Sequence, residues 1–210
     1  MPQDIHISDK ELNYLEDLDF LLTRHSINQK MNQLLLATED KLKQYIRLQK
    51  VEFPEGTKHK AGKIARGENY QLLPYLLLDY PRLFHKQSIF AFRTMFWWGH
   101  YFSVTLHLSG AALDKLRPVL LANADQLDTE NLFFYINRTD PWQHHLSEEN
   151  YAATRSLSLE YLRTKISEMP YIKVASQLEL KQWQKLPEFT LGFFKQMLSV
   201  LSLHTVDSVE

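Results

Sequence analysis

Two stretches that alternate in polarity, residues 89–96 and 101–108, constrain this chain more than any other feature. Alternation with a period of two marks strands that bury one face, and the short join between the two runs makes them a hairpin. Register then decides which residues share a face. A three-residue loop of Trp97, Trp98 and Gly99 pairs Phe96 with His100 and puts a glycine where the turn needs a left-handed residue. Phe90, Phe92 and Phe96 then lie on the same face as Phe102, Val104 and Leu106. A loop of two or four residues would mix Arg93 with Phe102 and Val104, which a buried face does not tolerate.

The rest of the chain supplies helices to cover that hairpin. Ser8 and Glu11 have capping-box spacing, and Leu12, Leu15, Leu18 and Leu22 follow at helical intervals. A break near residues 25–28 precedes a second amphipathic series, Met31, Leu34, Leu35, Leu42, Tyr45 and Ile46, ending near Lys50. Residues 52–67 carry Pro54, Gly56, Gly62 and Gly67 and read as a loop, or a loop with a short edge strand. A strand over 75–80 is closed by Pro81, with one helical turn over 83–86. Beyond the hairpin, the pattern predicts a helix over 110–126 kinked at Pro118 and a strand over 132–137. A loop follows around Asp140, Trp142, His144 and His145, then a helix from Ser147 to about Ser167 and a strand over 171–175. A closing helix starts near Pro187.

No βαβ pattern repeats, so the expected fold is α+β. It has a mainly antiparallel sheet of about four to five strands, centred on the 89–108 hairpin and packed with amphipathic helices. One domain spans 1–210, with a helical region at 8–50, an α+β core at 51–203 and a frayed tail at 204–210. With 44% hydrophobic residues the chain can bury one continuous core.

Composition excludes several chemistries. The chain has no cysteine, so disulfides, thiolate catalysis and cysteine-based metal centres are ruled out. Nine histidines show no metal-ligand spacing, and no cofactor fingerprint is present, so neither a metal nor a cofactor is expected. Lys and Arg total 24 against 25 acidic residues, which gives no field for nucleic acid. No run of about 18 apolar residues and no basic leader occurs, so a cytoplasmic protein without a membrane contact is expected.

The chemistry-bearing residues collect on the face of the hairpin away from the core. Arg93, Tyr101, Ser103, Thr105 and His107 share it with Ala91 and Met95. If Leu76, Leu78 and Tyr80 of the neighbouring strand enter the core, Asp79 and Tyr75 join that surface. Arg93 suits a carboxylate or phosphate held in bidentate fashion, and His107 suits proton transfer. The bland alternative is the solvated face of an antiparallel sheet. The basic run Lys58, His59, Lys60, Lys63 and Arg66 lacks the glycine spacing of a phosphate cradle and reads as a mobile surface loop. Trp97 and Trp98 suit a stacking platform or a contact to a partner subunit.

Lys58 with His59, residues 69–74, the hairpin with Gly99 and His100 at its turn, and the strand from Phe133 to Asn137 occur in an order that resembles the YktB-type uncharacterised bacterial proteins. The likeness continues through the helix of residues 148–167, the strand at Tyr171 and the closing helix. It implies a compact bacterial α+β protein with an antiparallel sheet, and no activity, because that family's function is undefined. The stretch around residues 79–88 departs from the family pattern and leaves the number of central strands open.

Three functional readings follow. The first is a domain that binds a small anionic ligand or a peptide on the polar sheet face through Arg93 and His107. The second is an enzyme using His107, Asp79 and Tyr101 as acids and bases, which requires them buried and hydrogen-bonded to one another. The third is an interaction or homodimer module built on Trp97 and Trp98.

Overall fold

The computed structural model describes residues 5–203. The expected tail at 204–210 lies outside the described residues. The chain runs α1 (Asp9–Glu16), α2 (Leu18–Gln49), β1 (Lys63–Tyr70), β2 (Leu73–His85), β3 (Ser88–Trp97), β4 (Tyr101–Ser109) and α3 (Gly110–Ala122). It continues with β5 (Phe133–Tyr135), β6 (Tyr151–Ala153), α4 (Leu159–Glu168), β7 (Tyr171–Glu179) and α5 (Leu186–Val200). The seven strands form one sheet in the order β1-β2-β3-β4-β7-β5-β6, and every pairing is antiparallel. The fold is α+β as expected, but the sheet has seven strands rather than four to five.

The two additional strands come from residues whose local sequence argues against a strand. In β1, Gly67 interrupts the run, yet it serves a packing purpose. A Cβ there would sit 2.5 Å from the Tyr75 ring, so only glycine lets that ring lie across β1. The basic residues Lys63 and Arg66 therefore lie on an edge strand, and Lys58 forms a bridge with Arg82, so residues 58–66 are not the mobile loop expected. In β6, Tyr151 pairs with Tyr135. The helix expected from Ser147 begins only at Leu159, where Ser158 caps it by accepting from the Tyr161 N–H. β2 also runs past Pro81, because a shift in register between Asp79 and Arg82 removes the proline from the ladder. Residues 83–85 are consequently strand, not a helical turn.

Helix α1 has the capping box anticipated from Ser8 and Glu11. The break between the first two helices falls at Asp17, which caps α2 by accepting from the Phe20 N–H at 2.8 Å, and not at 25–28. The helix continues through 25–28 because Ile27 belongs to the same stripe as Met31, Leu34, Leu35 and Leu42, so the core side is never interrupted. At 32 residues, α2 is roughly 48 Å long. No helix among the described residues is long and apolar enough to cross a membrane.

One face of the sheet is covered by α2, α3, α4 and α5. There Phe90, Phe92, Phe96, Phe102, Val104, Leu106 and Leu108 pack with Leu35, Leu42, Leu113, Ile166 and Phe194 in a single core. The rings of Phe92 and Phe194 meet edge to face, 4.6 Å apart. Leu76, Leu78 and Tyr80 enter the same core from β2.

The hairpin faces sort as the alternation requires, but the pairing is shifted by two residues. Phe96 pairs with Phe102, not His100, and the loop is Trp98, Gly99 and His100. Trp97 stays in the strand and stacks on the His100 ring at 3.6 Å, while Gly99 takes φ +75° in the middle of the loop. A two-residue shift leaves every side chain on its original face, so arguments about faces cannot detect it.

Candidate functional site

The second face of the sheet is arranged in cross-strand rows. Asp79, Arg93, Thr105 and Ala175 align across β2, β3, β4 and β7, and Ala91, His107 and Lys173 form the next row. This face is not left to solvent. Residues 136–150, the connection between β5 and β6, fold over it as a strap that buries Asp79, Thr105, His107 and Lys173. The strap is internally tied. Asn137 accepts from the Thr139 and Asp140 N–H groups, and Asp140 accepts from the Trp142 N–H and from Gln143 Nε2.

Asp79 and Arg93 are direct cross-strand neighbours and form a bidentate pair, Nε to Oδ1 at 2.7 Å and Nη2 to Oδ2 at 2.9 Å. The third guanidinium nitrogen, Nη1, lies 2.9 Å from His144 Nε2. A guanidinium can only donate, so His144 accepts at Nε2 and carries its proton on Nδ1. Burial, together with the nearby Arg93 and Lys173 charges, holds His144 well below the usual histidine range. His144 is therefore a neutral acceptor for Arg93.

Lys173 is 1% exposed. Its ammonium donates to the carbonyls of Pro141 and Gln143 and lies 4.2 Å from the centre of the Tyr135 ring. These groups stabilise a cation only partly, and no carboxylate among the described residues is bonded to it. Burial, with a smaller contribution from Arg93, brings its pKa down to about 7.

His107 is buried between the sheet and the strap, under the Trp142 ring at 5.4 Å. Among the described residues its Nε2 has no hydrogen-bond partner. Desolvation, reinforced by Lys173 and Arg93, pushes its pKa down to about 3, so the ring is neutral at physiological pH. A cavity of about 10 Å³, room for about one water-sized atom, is lined by Arg93, Thr105, His107, His144 and Lys173, with Phe84 and Ala91 on its apolar side.

Of the remaining residues singled out from sequence, Tyr101 and Tyr75 support the strap and the others pack elsewhere. Tyr101 Oη accepts from the Leu146 N–H at 2.8 Å. Tyr75 packs edge to face on Tyr70, whose hydroxyl accepts from the His144 and His145 N–H groups. Ser103 is buried in the row next to Met95. Trp97 is buried with Leu77 and Met95, and Trp98 packs on Phe96 while donating to Asn28 at 3.3 Å. The His144 and His145 rings both pack on Tyr70, 5.5 Å and 6.0 Å from its ring; His144 also meets Arg93, and His145 also meets Asn150.

The structure thus brings Asp79, Arg93, Thr105 and His107 together and adds Lys173 and His144, which sequence reasoning missed. Asp79, His107 and Tyr101 are not hydrogen-bonded to one another: Asp79 holds Arg93 and Tyr101 holds the strap. Lys173 carried one usable signal, its place between Ile172 and Val174 in a strand-like run, which puts a charge on the face away from the core. Comparison of the chain with family models, curated proteins and solved structures found no match to any of them, so the likeness to the YktB-type proteins rests on the quoted motifs alone.

Proposed function

We propose that this protein is a binding domain for a small anion, a carboxylate or phosphate group free or on a peptide, taken up between the sheet and the 136–150 strap. One observation carries the reading. Arg93, Lys173 and His107 line the same small cavity, Asp79 is the only carboxylate bonded to either cation among the described residues, and His107 Nε2 has no partner among them. An anionic oxygen there would meet two cations and, on His107, a donor once its proton sits on Nε2. The cavity accepts a single oxygen-sized atom, so a larger anion enters only if the strap carrying Trp142 and His144 lifts.

The test is a thermal-shift series with phosphate, sulfate, acetate and short peptides, on the wild type and on Arg93→Ala and Lys173→Met. Specific stabilisation by an anion that both substitutions abolish supports the reading. A shift of equal size in all three proteins removes the site from consideration.

A second reading, acid–base or amine chemistry, is favoured by the Lys173 amine, which is divided between its neutral and charged forms near pH 7. Reductive trapping of small aldehydes and ketones, followed by mass mapping, tests it. Labelling confined to surface lysines would exclude that role.

A further inference from the structure

The N-terminal helices carry an apolar surface that the domain itself does not use. From Ile5 to Thr23 every residue except Ser8 is exposed, and α1 buries nothing. Among these are Ile5, Ile7, Leu12, Tyr14, Leu15, Leu18, Phe20, Leu21 and Leu22, with exposures running from 43% for Leu21 to 91% for Ile5. A fully exposed side chain of this size offers roughly 60–120 Å², the area implied by 1.5–3 kcal/mol of burial energy at about 25 cal/mol per Å². The nine together therefore present roughly 300–600 Å². A stable interface covers about 800 Å² per partner, of which about 57–65% is apolar; the nine side chains point to more than one side of the two helices, so one partner covers part of this area and the rest of α2 adds to it.

Charge identifies the occupant. Residues 5–22 hold Asp9, Glu11, Glu16, Asp17 and Asp19 against Lys10 alone. Residues 23–50 hold Arg24, Lys30, Lys41, Lys43, Arg47 and Lys50 against Glu39 and Asp40; within the fold Arg24 pairs with Glu68, Lys41 with Glu188 and Lys43 with Glu39, which leaves Lys30, Arg47 and Lys50 outside these pairs. The two halves of the helical region thus carry −4 and +4. Two copies of α2 side by side and antiparallel set each acidic end against the other's basic end, whereas a parallel pair sets like against like. The apolar residues permit the same arrangement. Leu18, Leu22 and Leu36 lie on one stripe of α2, opposite the core stripe, and Leu36 and Leu48 are exposed in the basic half.

We propose that the occupant of this surface is a second copy of the chain, in an antiparallel two-fold dimer of α2 helices whose acidic ends lie on the partner's basic ends. Sedimentation equilibrium of the full chain from about 1 to 100 µM is the test. The expected result is a mass twice the 24.8 kDa of one chain. Glu16→Lys with Asp19→Lys reverses charge at one end, and Arg47→Glu with Lys50→Glu reverses it at the other. Each pair alone should weaken the dimer more than about tenfold, and all four together should restore it. Leu18→Ser with Leu22→Ser, at positions with no packing role in the folded chain, should give a monomer with an unchanged circular dichroism spectrum. A monomer at every concentration, or a dimer that ignores these substitutions, overturns the proposal.

Discussion

Lys173→Met isolates the energetic consequence of burying an ammonium without a carboxylate. In the folded chain the amine titrates near pH 7, against an ordinary value of 10.5. Between those values the unfolded chain binds a proton that the folded chain does not. Stability therefore rises with pH through this window, by at most about 1.4 kcal/mol per pH unit. From pH 7.5 to 9.5 the contribution of Lys173 amounts to about 2–3 kcal/mol. Met keeps most of the stem volume against the Tyr135 and Tyr151 rings but leaves the carbonyls of Pro141 and Gln143 without that donor, a constant cost of about 1–3 kcal/mol. Urea unfolding of both proteins at half-unit pH steps measures the difference between them. That difference should grow with pH up to 9.5. The window closes near pH 10.5, where the unfolded lysine also loses its proton; the buried hydroxyls of Tyr80, Tyr135 and Tyr151, whose pKa values burial raises, are common to both proteins and cancel in the difference. Parallel curves for wild type and variant would show that Lys173 keeps its proton to high pH and would refute the desolvation argument.

Three further outcomes follow from the same geometry. Arg93→Ala leaves the Asp79 carboxylate buried without its bidentate partner and should cost about 3–5 kcal/mol in urea unfolding. His107→Phe removes a histidine held neutral down to about pH 3. The wild type should lose stability relative to this variant as pH falls from 6.5, by about 2 kcal/mol between pH 6 and 4, measured by thermal unfolding in that range. Gly110→Ala places a Cβ 2.1 Å from the Gln87 carbonyl oxygen at φ +56° and should cost about 3 kcal/mol or more, whereas Gly99→Ala, with open space at its Cβ, should cost only about 1 kcal/mol; melting temperatures of the two variants make the comparison.

The strap explains why the polar sheet face carries such residues at all. A solvated face would need neither a bidentate Asp79–Arg93 pair nor neutral histidines. Covered by residues 136–150, the same positions must satisfy one another, and they do so through carbonyls, ring faces and one ion pair rather than through balanced charges. Two of the exceptions, a buried ammonium with no carboxylate bonded to it among the described residues and a histidine nitrogen without a partner, fall at one small cavity, while Arg82 Nε, Trp97 Nε1 and Thr190 Oγ1 are likewise unpartnered elsewhere. Buried polar groups left unsatisfied are costly, and a cation and an open histidine nitrogen lining the same space direct the functional reading there.

Local patterning determined a good deal of this molecule. Period-two alternation in residues 89–108 decided which side chains face the helices, because a strand has only two faces and burial enforces the choice. The capping box at Ser8 and Glu11 and the apolar stripe of α5 were equally readable, since both depend on residues within a few positions of one another. Long-range pairing lay beyond that reach. The hairpin shift from His100 to Phe102 preserves every face, the strand at Lys63–Tyr70 exists because β2 offers it an edge, and Gly67 makes sense only once the Tyr75 ring lies over it. The site was legible in half. Arg93, Asp79, Thr105 and His107 could be placed on one face from β2, β3 and β4 alone. Lys173 and His144 are distant in sequence and join them only through the β4–β7 ladder and the fold of the strap. Proximity of that kind is a property of the closed chain, and so is the desolvation that takes an ordinary lysine and an ordinary histidine far from their usual ionisation.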